Sequence, residues 1–346
     1  MIRNRIGWNL TFTLLLAAAI GALLVANVAL GSVGIPPADV ARILAGHLVG
    51  HDATDVWTNI VLRSRTPQAL TALLCGAGLS VAGLEMQTVF RNPLAGPSVL
   101  GISNGASLGV ALLMLFTGAG GVVTLSSLGI YGGMAVTLAA ALGAMAVMAV
   151  IAAVARHVRG NVTLLIMGVM IGYIVNAVIG VLKYFSVAED IHSYTLWGLG
   201  SFAAVSTDRL PLFATATAVL LPLAFLLAKP LNLLLLGEHY AQNLGLDVRR
   251  MRTLAILSAS LLVAVCTAFC GPISFLGLAV PHLCRGLYRT ADHRWLMPAC
   301  MLAGAALALA CNLLARMPGA EGALPVNSVT SLIGAPVVIW VLFHRR

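Results

Sequence analysis

Long runs of apolar residues, separated by short bunches of charge, constrain this chain more than any other feature. No charged residue occurs between Arg5 and Asp39, for example. Lipid offers no hydrogen-bond partners, so a crossing helix must satisfy its own backbone and needs ~20 mostly apolar residues. A porin-type barrel would show segments of about 10 residues with alternating polarity, and the sequence contains none. The apolar runs therefore predict a membrane protein built from helices.

Ten apolar segments can be delimited between the charges and the Pro and Gly breaks. They lie near residues 8–33, 67–90, 94–117, 127–155, 162–186, 208–228, 253–270, 273–288, 296–315 and 328–343. Gly and Pro interrupt the segments at 94–117 and 253–288. We predict an all-α polytopic membrane protein with about ten transmembrane helices in a single domain, residues 1–346.

The low charge content excludes several classes of soluble protein. Only 9% of the residues are charged and 60% are hydrophobic, whereas an average soluble domain carries about 25% charged residues. A surface with so few charges excludes a cytosolic enzyme and a disordered chain. The net charge of +9 does not indicate a nucleic-acid partner, because the basic residues lie in short bunches between apolar runs.

The basic residues also predict the orientation of the chain. With the N-terminus inside, fourteen of the 20 Lys and Arg residues fall on the inner side, in agreement with the positive-inside bias. The other six lie outside or at outer helix ends: Arg42, Arg63, Arg65, Lys183, Arg209 and Arg316. We therefore expect both termini in the cytoplasm. We also expect an uncleaved first crossing, because its apolar run exceeds the about 7–15 residues of a signal peptide.

Cysteines and histidines give little indication of a metal site. The six cysteines lie in or at the ends of apolar segments: Cys75, Cys266, Cys270, Cys284, Cys300 and Cys311. We interpret them as small apolar core residues, although Cys266 and Cys270 share a helix face. His47 and His51 could hold a metal if their outer segment is helical, and the alternative is a pair of solvated loop histidines. We predict no metal site.

The chain lacks a phosphate-binding loop of the GxxxxGK[ST] type. Its only lysines, Lys183 and Lys229, do not follow a glycine, so the chain does not bind ATP through this motif. Transport must then be driven by an ion gradient or by a separate subunit. Glu85 is the one carboxylate well inside the predicted helices. A gradient-driven carrier that uses Glu85 as its proton site is therefore the alternative function.

The residues from Arg91 to Ala106 read RNPLAGPSVLGISNGA, with two prolines and three glycines among these sixteen residues. Such backbone is broken, and its unsatisfied amides must face protein or a water-filled cavity. The order of residues resembles the Asn-Pro-Leu-Ala…Leu-Gly-(Val/Ile)-Ser-x-Gly-Ala signature of FecCD-family ABC-transporter permeases.

Three further stretches resemble the same family, in the same order along the chain. Residues 271–285 look like its Gly-Pro-Ile-x-Phe-x-Gly-Leu-x-x-Pro-His-x-x-Arg motif. Residues 324–326 and 332–336 resemble the entry into its tenth helix, and residues 237–245 resemble its inner loop before helix seven. The resemblance thus covers nearly the whole chain.

The resemblance implies a transport subunit that catalyses no reaction and carries no cofactor. ATP and Mg would bind two separate ATPase subunits, and two copies of this chain would form a homodimer around a central channel. A periplasmic or lipoprotein binding protein would deliver the substrate to the bacterial inner membrane, and ATP would drive alternating access. The family imports iron–siderophores, haem and vitamin B12. Of these three substrates we expect an iron–siderophore before haem or vitamin B12, because siderophores dominate the family.

The inner loop near residues 230–252 is the longest polar stretch predicted on the inner side. A short amphipathic helix there could seat in a groove on a soluble partner, and the alternative is a solvated loop. In the family a coupling helix at this place docks on the ATPase subunit. The resemblance assigns this docking to Gly237, Glu238, Ala241, Leu244 and Gly245.

Outer arginines of these permeases pair with carboxylates on the binding protein. The vitamin B12 permeases use an arginine pair at the start of helix two and a third arginine after helix nine. Arg65 falls at the first position of the pair and Gln68 at the second, where Arg63 could supply the missing charge. Arg316 matches the arginine after helix nine. The alternative is that these arginines snorkel at the headgroups.

The transport pathway is also assigned from the resemblance. The inner gate would lie at Asn92 and Leu94 and, at the start of helix five, at Asn161 and Val162. Met167, Met170 and Asn176 on helix five, with Glu85, are candidate pathway residues. The alternatives are ordinary packing of helix five through small residues and, for Glu85, interfacial water or a pair with Arg91.

Overall fold

The computed structural model describes residues 2–48, 55–116, 129–157, 160–316 and 323–343. Within these ranges all regular structure is helical and no strand occurs. The α-helices are α1 Ile2–Ala29, α2 Pro37–Leu48, α3 Val56–Asn59, α4 Thr66–Val89, α5 Ile102–Ala111, α6 Gly129–His157, α7 Asn161–Tyr184, α8 Ala188–Gly198, α9 Leu210–Leu226, α10 Ala228–Leu235, α11 Glu238–Asn243, α12 Val248–Cys270, α13 Leu276–Tyr288, α14 His293–Ala315 and α15 Val326–Phe343. Two π-helical stretches, Ile60–Arg65 and Leu112–Phe116, precede α4 and extend α5.

Six helices among the described residues are long and apolar enough to cross a membrane. They are Gly7–Ala29, Val56–Val89, Gly133–Ala155, Val162–Tyr184, Val248–Cys270 and His293–Ala315. Helices α9 and α10 add a seventh if they count as one span, although a 44° bend separates them. Each of the ten predicted segments contains a helix, so the all-helical fold class is confirmed, while ten complete crossings and the orientation of the termini stay predictions.

The shorter helices arise where glycine and proline break the apolar segments. The predicted segment 94–117 begins with an irregular stretch and a 3₁₀ turn at Pro97–Leu100, so its helix starts only at Ile102. The predicted segment 273–288 yields the 13-residue helix α13 after an irregular stretch that begins at Gly271. Both helices therefore start later than the apolar composition predicts.

Helix α4 is the centre of the bundle, and 83% of its apolar window is buried. It packs against α1, α9, α10, α12, α13 and α14. Small residues permit this close packing, because a β-carbon at Gly76 would lie 2.2 Å from the carbonyl oxygen of Gly304 on α14. By contrast, 28% of the window is buried in both α6 and α7 and 6% in α1. These helices lie at the periphery of the bundle and leave apolar faces free for lipid or for another chain.

Candidate functional site

The inner coupling segment, defined here as residues 237–246, is a short helix between two glycines. Gly237 and Gly245 have φ angles of +119° and +85°, a region that glycine enters without steric cost. Between them, α11 buries Ala241 completely, whereas Tyr240 and Leu244 are 69% and 61% exposed. The segment therefore presents Tyr240 and Leu244 outward and uses Ala241 as its anchor.

One polar contact fixes the coupling segment to the bundle, and a second fixes the end of α10 just before it. The guanidinium of Arg252 on α12 donates to Glu238 Oε1 at 3.0 Å. Arg91, which follows α4, donates from Nη2 to the carbonyl oxygen of Leu234 on α10 at 2.9 Å. Glu238 thus anchors α11 to α12, a contact that the sequence analysis did not foresee.

The broken segment at 91–101 lies next to a second break at 271–275. Gly96, Ser98, Ile273, Ser274, Phe275, Gly277 and Leu278 line a cavity of about 230 Å³ between them. Ser274 donates its backbone N–H to Asn327 Oδ1 of α15 at 3.0 Å. The broken backbone here contacts protein and lines a cavity, while the presence of water in that cavity stays a prediction.

Three side chains that the sequence analysis left unassigned tie α13 to α4 and to the broken segment. Arg285 donates to Gln87 Oε1 at 2.5 Å, and Gln87 Nε2 donates to the carbonyl oxygen of Leu278 at 3.2 Å. His282 Nε2 lies 2.8 Å from the carbonyl oxygen of Pro93, to which its N–H can donate. His282 and Arg285 belong to the family-like motif, so that motif was the signal that could have found them.

The predicted inner gate lies on two separate elements. The backbone N–H of Leu94 donates to Asn92 Oδ1 at 2.9 Å, which shapes the turn after α4. Leu94 is 44% exposed, and Val162, in the first turn of α7, is 68% exposed. The side chain of Asn161 lies outside the described residues. The broken segment approaches α7 further along, where a β-carbon at Gly101 would lie 3.2 Å from the carbonyl oxygen of Gly168.

Helix α7 divides into a packed face and an exposed face. Gly172 lies against Asn104 of α5, which agrees with packing through small residues. Met167 and Met170 are 37% and 49% exposed, and Asn176 is exposed as well. Packing within this chain therefore explains Gly168 and Gly172 but not Gly180 or the three pathway candidates.

Glu85 is completely buried between α4 and α12. Its Oε1 accepts a hydrogen bond of 3.0 Å from Ser258 Oγ, while Oε2 has no partner among the described residues. The interpretation that Glu85 reaches interfacial water or pairs with Arg91 is wrong, because its side chain is 0% exposed and Arg91 binds Leu234. The carboxyl group instead connects two helices.

Arg65 and Arg316 both bind the C-terminal end of α1. Arg65 is 3% exposed and donates to the carbonyl oxygens of Val28, Ala29 and Val33. Arg316 donates to the carbonyl oxygen of Asn27 at 2.9 Å and to its side chain. Burial and the nearby charge of Arg65 lower the pKa of Arg316 to about 10, so it stays charged at neutral pH.

These contacts satisfy carbonyl groups that a helix leaves unpaired at its C-terminus. They give Arg65 and Arg316 a structural role that the sequence analysis missed. Arg63, by contrast, is exposed. Of the three arginines predicted to dock the binding protein, Arg63 is therefore the most accessible in this chain.

The described residues contain no group of three or more His, Cys, Asp or Glu side chains that could hold a metal ion. All six cysteines are buried thiols, so their interpretation as core residues is confirmed. His47 lies in the last turn of α2, while His51 lies outside the described residues.

Comparisons with known proteins agree over nearly the whole chain. The model of the FecCD transport family matches residues 8–344. The chain is 38% identical to the vitamin B12 import system permease protein BtuC of Klebsiella pneumoniae over 282 residues, which are 82% of each chain. It is 37% identical to the hemin transport system permease protein HmuU of Yersinia pestis over 296 residues, 84% of each chain.

A solved structure is similar as well. It is described as a metal-chelate type ABC transporter in an inward-facing conformation. The match has a TM-score of 0.82 at 27% identity and covers 96% of this chain and 99% of the other. The arrangement of helices is thus shared from end to end.

Proposed function

Because the chain belongs to the FecCD transport family, we propose that it is the membrane-spanning permease subunit of an ATP-binding-cassette importer for a metal chelate. The observation that carries this proposal is the similarity over more than four fifths of the chain to permeases named for vitamin B12 and hemin import. The fold supports it, since the helices match a metal-chelate ABC transporter over 96% of the chain.

Energy for transport comes from two separate ATPase subunits in this proposal. The chain itself has no phosphate-binding loop. The exposed side chains of Tyr240 and Leu244, on a helix anchored through Ala241 and Glu238, suit docking in a groove on a soluble partner. Nucleotide binding would then move the coupling segment and alternate access to the pathway between the two sides.

Two copies of the chain enclose the pathway in this proposal. The exposed side chains of Met167, Met170 and Asn176 support it, because the chain's own helices leave them uncovered. A soft apolar wall would let a bulky chelate pass without tight binding. Specificity would then reside in the periplasmic or lipoprotein binding protein, which docks at the outer face near Arg63. The complex would lie in the bacterial inner membrane.

The substrate is a metal chelate: an iron–siderophore, haem or vitamin B12. The two relatives favour a metal held in a large planar ring, since their names specify vitamin B12 and hemin. The family resemblance keeps ferric siderophores as the third possibility. A binding measurement on the partner binding protein with all three ligands would choose among them.

The proposal is tested with the permease reconstituted in liposomes together with its ATPase subunits and binding protein. Uptake of cyanocobalamin, hemin or a ferric siderophore should require ATP and all three components. The permease alone should accumulate none of them, with or without a pH gradient. Accumulation by the permease alone, driven by a pH gradient and lost in Glu85→Gln, would establish the gradient-driven alternative instead.

A further inference from the structure

The helix that leads into the coupling segment is fixed to the bundle by a partly buried polar cluster. Thr88, Asn232, Asp292 and His293 form this cluster, here named the polar node. Asn232 lies on α10, which bends by 44° from α9 and ends at Leu235, just before the coupling segment. Movement of α11 can therefore reach the bundle through α10.

Asn232 joins α10 to the start of α14 by three hydrogen bonds. Its Nδ2 donates to Asp292 Oδ1 at 2.5 Å, and its Oδ1 accepts from the backbone N–H of His293 at 2.8 Å. The same Oδ1 lies 2.7 Å from His293 Nδ1. Because a backbone N–H can only donate, the amide orientation is fixed, and Nδ1 must carry the proton that it donates to Oδ1.

His293 extends the connection from α14 to α4. The ring is 1% exposed, and its Nε2 lies 2.8 Å from Thr88 Oγ1 near the inner end of α4. The Thr88 hydroxyl, whose single proton can also go to the carbonyl oxygen of Leu84 at 2.8 Å, donates to Nε2 when the ring is neutral. When the ring is charged, the hydroxyl accepts from Nε2 and donates to Leu84. In both states one continuous path of hydrogen bonds runs from α10 through α14 to α4.

The polar node, like the bond from Arg91 to the carbonyl oxygen of Leu234, differs in kind from the apolar contacts of α10. Leu231 and Leu234 are buried apolar side chains, and apolar contacts have no directional preference, so they permit sliding. Buried hydrogen bonds are directional, and breaking one leaves an unsatisfied polar group at high cost. The polar node therefore couples movement of α10 at Asn232 to movement of α4 and α14.

We propose that Asn232 is a positioning residue. Through His293 and Thr88, it transmits movement of the coupling segment to α14 and α4. This inference rests on the proposed function, because it concerns how ATPase action reaches the pathway. Without the polar node, the ATPase subunits would still dock on α11 and hydrolyse ATP. Helix α10 would then be coupled less tightly to α4, and fewer substrate molecules would cross for each ATP hydrolysed.

The test measures the number of substrate molecules transported per ATP in proteoliposomes that contain the full complex. The probes are cyanocobalamin, hemin and a ferric siderophore. Asn232→Leu removes all three bonds from α10, and Thr88→Val removes the hydroxyl on α4 with little change in volume. We expect the ratio to fall about five- to ten-fold in each variant while ATP hydrolysis continues. Thr88→Ser, which keeps the hydroxyl, should restore it.

Thr217→Val is the matched control. Thr217 is a fully buried threonine whose hydroxyl donates to Phe213 of its own helix α9. Its loss should leave the ratio unchanged.

A wild-type ratio in Thr88→Val would overturn the inference, and so would an equal loss in Thr217→Val. If the Asn232→Leu variant does not assemble with the ATPase subunits, the Thr88→Val variant alone still tests the inference. These outcomes leave the proposed function intact. If the wild-type complex takes up none of the three probes with ATP, the proposed function itself fails, and the inference with it.

Discussion

The backbone of Gly83 on α4 touches the backbone of Gly277 on α13. A β-carbon at Gly83 would lie 1.7 Å from the carbonyl oxygen of Gly277, which is far inside van der Waals contact. The two helices can approach this closely only because position 83 has no side chain. This contact holds α13 against the central helix next to the cavity at the two broken segments.

Gly83→Ala should destabilise the permease by about 1–3 kcal/mol, because the backbones of α4 and α13 must separate to admit a methyl group. Gly286→Ala is the control on α13 itself, since a β-carbon there would meet nothing within 4 Å. Better helix propensity should make that control neutral or slightly stabilising. Thermal unfolding of the two purified variants in detergent provides the comparison, and equal unfolding temperatures would contradict the contact.

Gly245→Arg should abolish co-purification of the ATPase subunits, because it places a long charged side chain in the coupling segment. The positive φ of +85° at this position also strains any side chain. Gly245→Ala carries the same backbone strain without the bulk and should retain most of the ATPase. Equal loss in both variants would point to the backbone conformation, and retention in both would count against docking here.

Arg63→Glu should weaken docking of the binding protein by about 0.2–1 kcal/mol, since an exposed ion pair contributes little. The effect should diminish as salt is added, because exposed charges are screened. Titration of the binding protein at two salt concentrations measures both. An affinity that does not depend on salt would argue against an electrostatic contact.

Arg65→Met should instead lower the stability of the isolated permease. It leaves carbonyl groups at the end of α1 without their donor, a loss of about 1–3 kcal/mol for buried groups. Thermal unfolding without any partner protein detects this loss, and Arg63→Met serves as the exposed control. Wild-type stability in Arg65→Met would show that the hydrogen bonds from Arg65 to the end of α1 contribute nothing measurable to stability.

Glu85→Gln should keep both stability and ATP-dependent uptake, because the amide oxygen can still accept from Ser258. Glu85→Leu should be less stable, since it leaves the hydroxyl of Ser258 without this acceptor and alters the contact between α4 and α12. Uptake assays and thermal unfolding of the two variants separate a packing role from transport chemistry. Loss of uptake in a stable Glu85→Gln protein would assign Glu85 to the pathway.

Hydropathy predicts the helical membrane class because a crossing helix needs a continuous apolar run. It misjudges where helices begin around Ile102 and Leu276, because broken backbone packed inside the bundle is as apolar as a helix. The composition of residues 94–101 shows that the backbone is broken there, but it does not show where the break lies in the bundle. The cavity that Gly96 and Ser98 share with Phe275 and Leu278 shows its place.

The coupling segment could be delimited from Gly237 and Gly245, because glycine brackets and polar residues are local signals. The partners of Arg65, Glu85 and Glu238 could not, since each bond joins residues distant in sequence. A charge pattern places an arginine at the outer face. It does not show whether the guanidinium points to a partner protein or to a helix end.

The position of α4 at the centre of the bundle also imposes an order on biosynthesis. The span that contains α4 has the lowest mean hydropathy of the six candidates, 1.6, yet it leaves the ribosome before α9 to α14, which later surround it. Until those helices arrive, Glu85, Thr71 and Ser80 have lost water without gaining their final neighbours. Chains truncated before α12 should therefore be recognised as unfinished and degraded by membrane proteases.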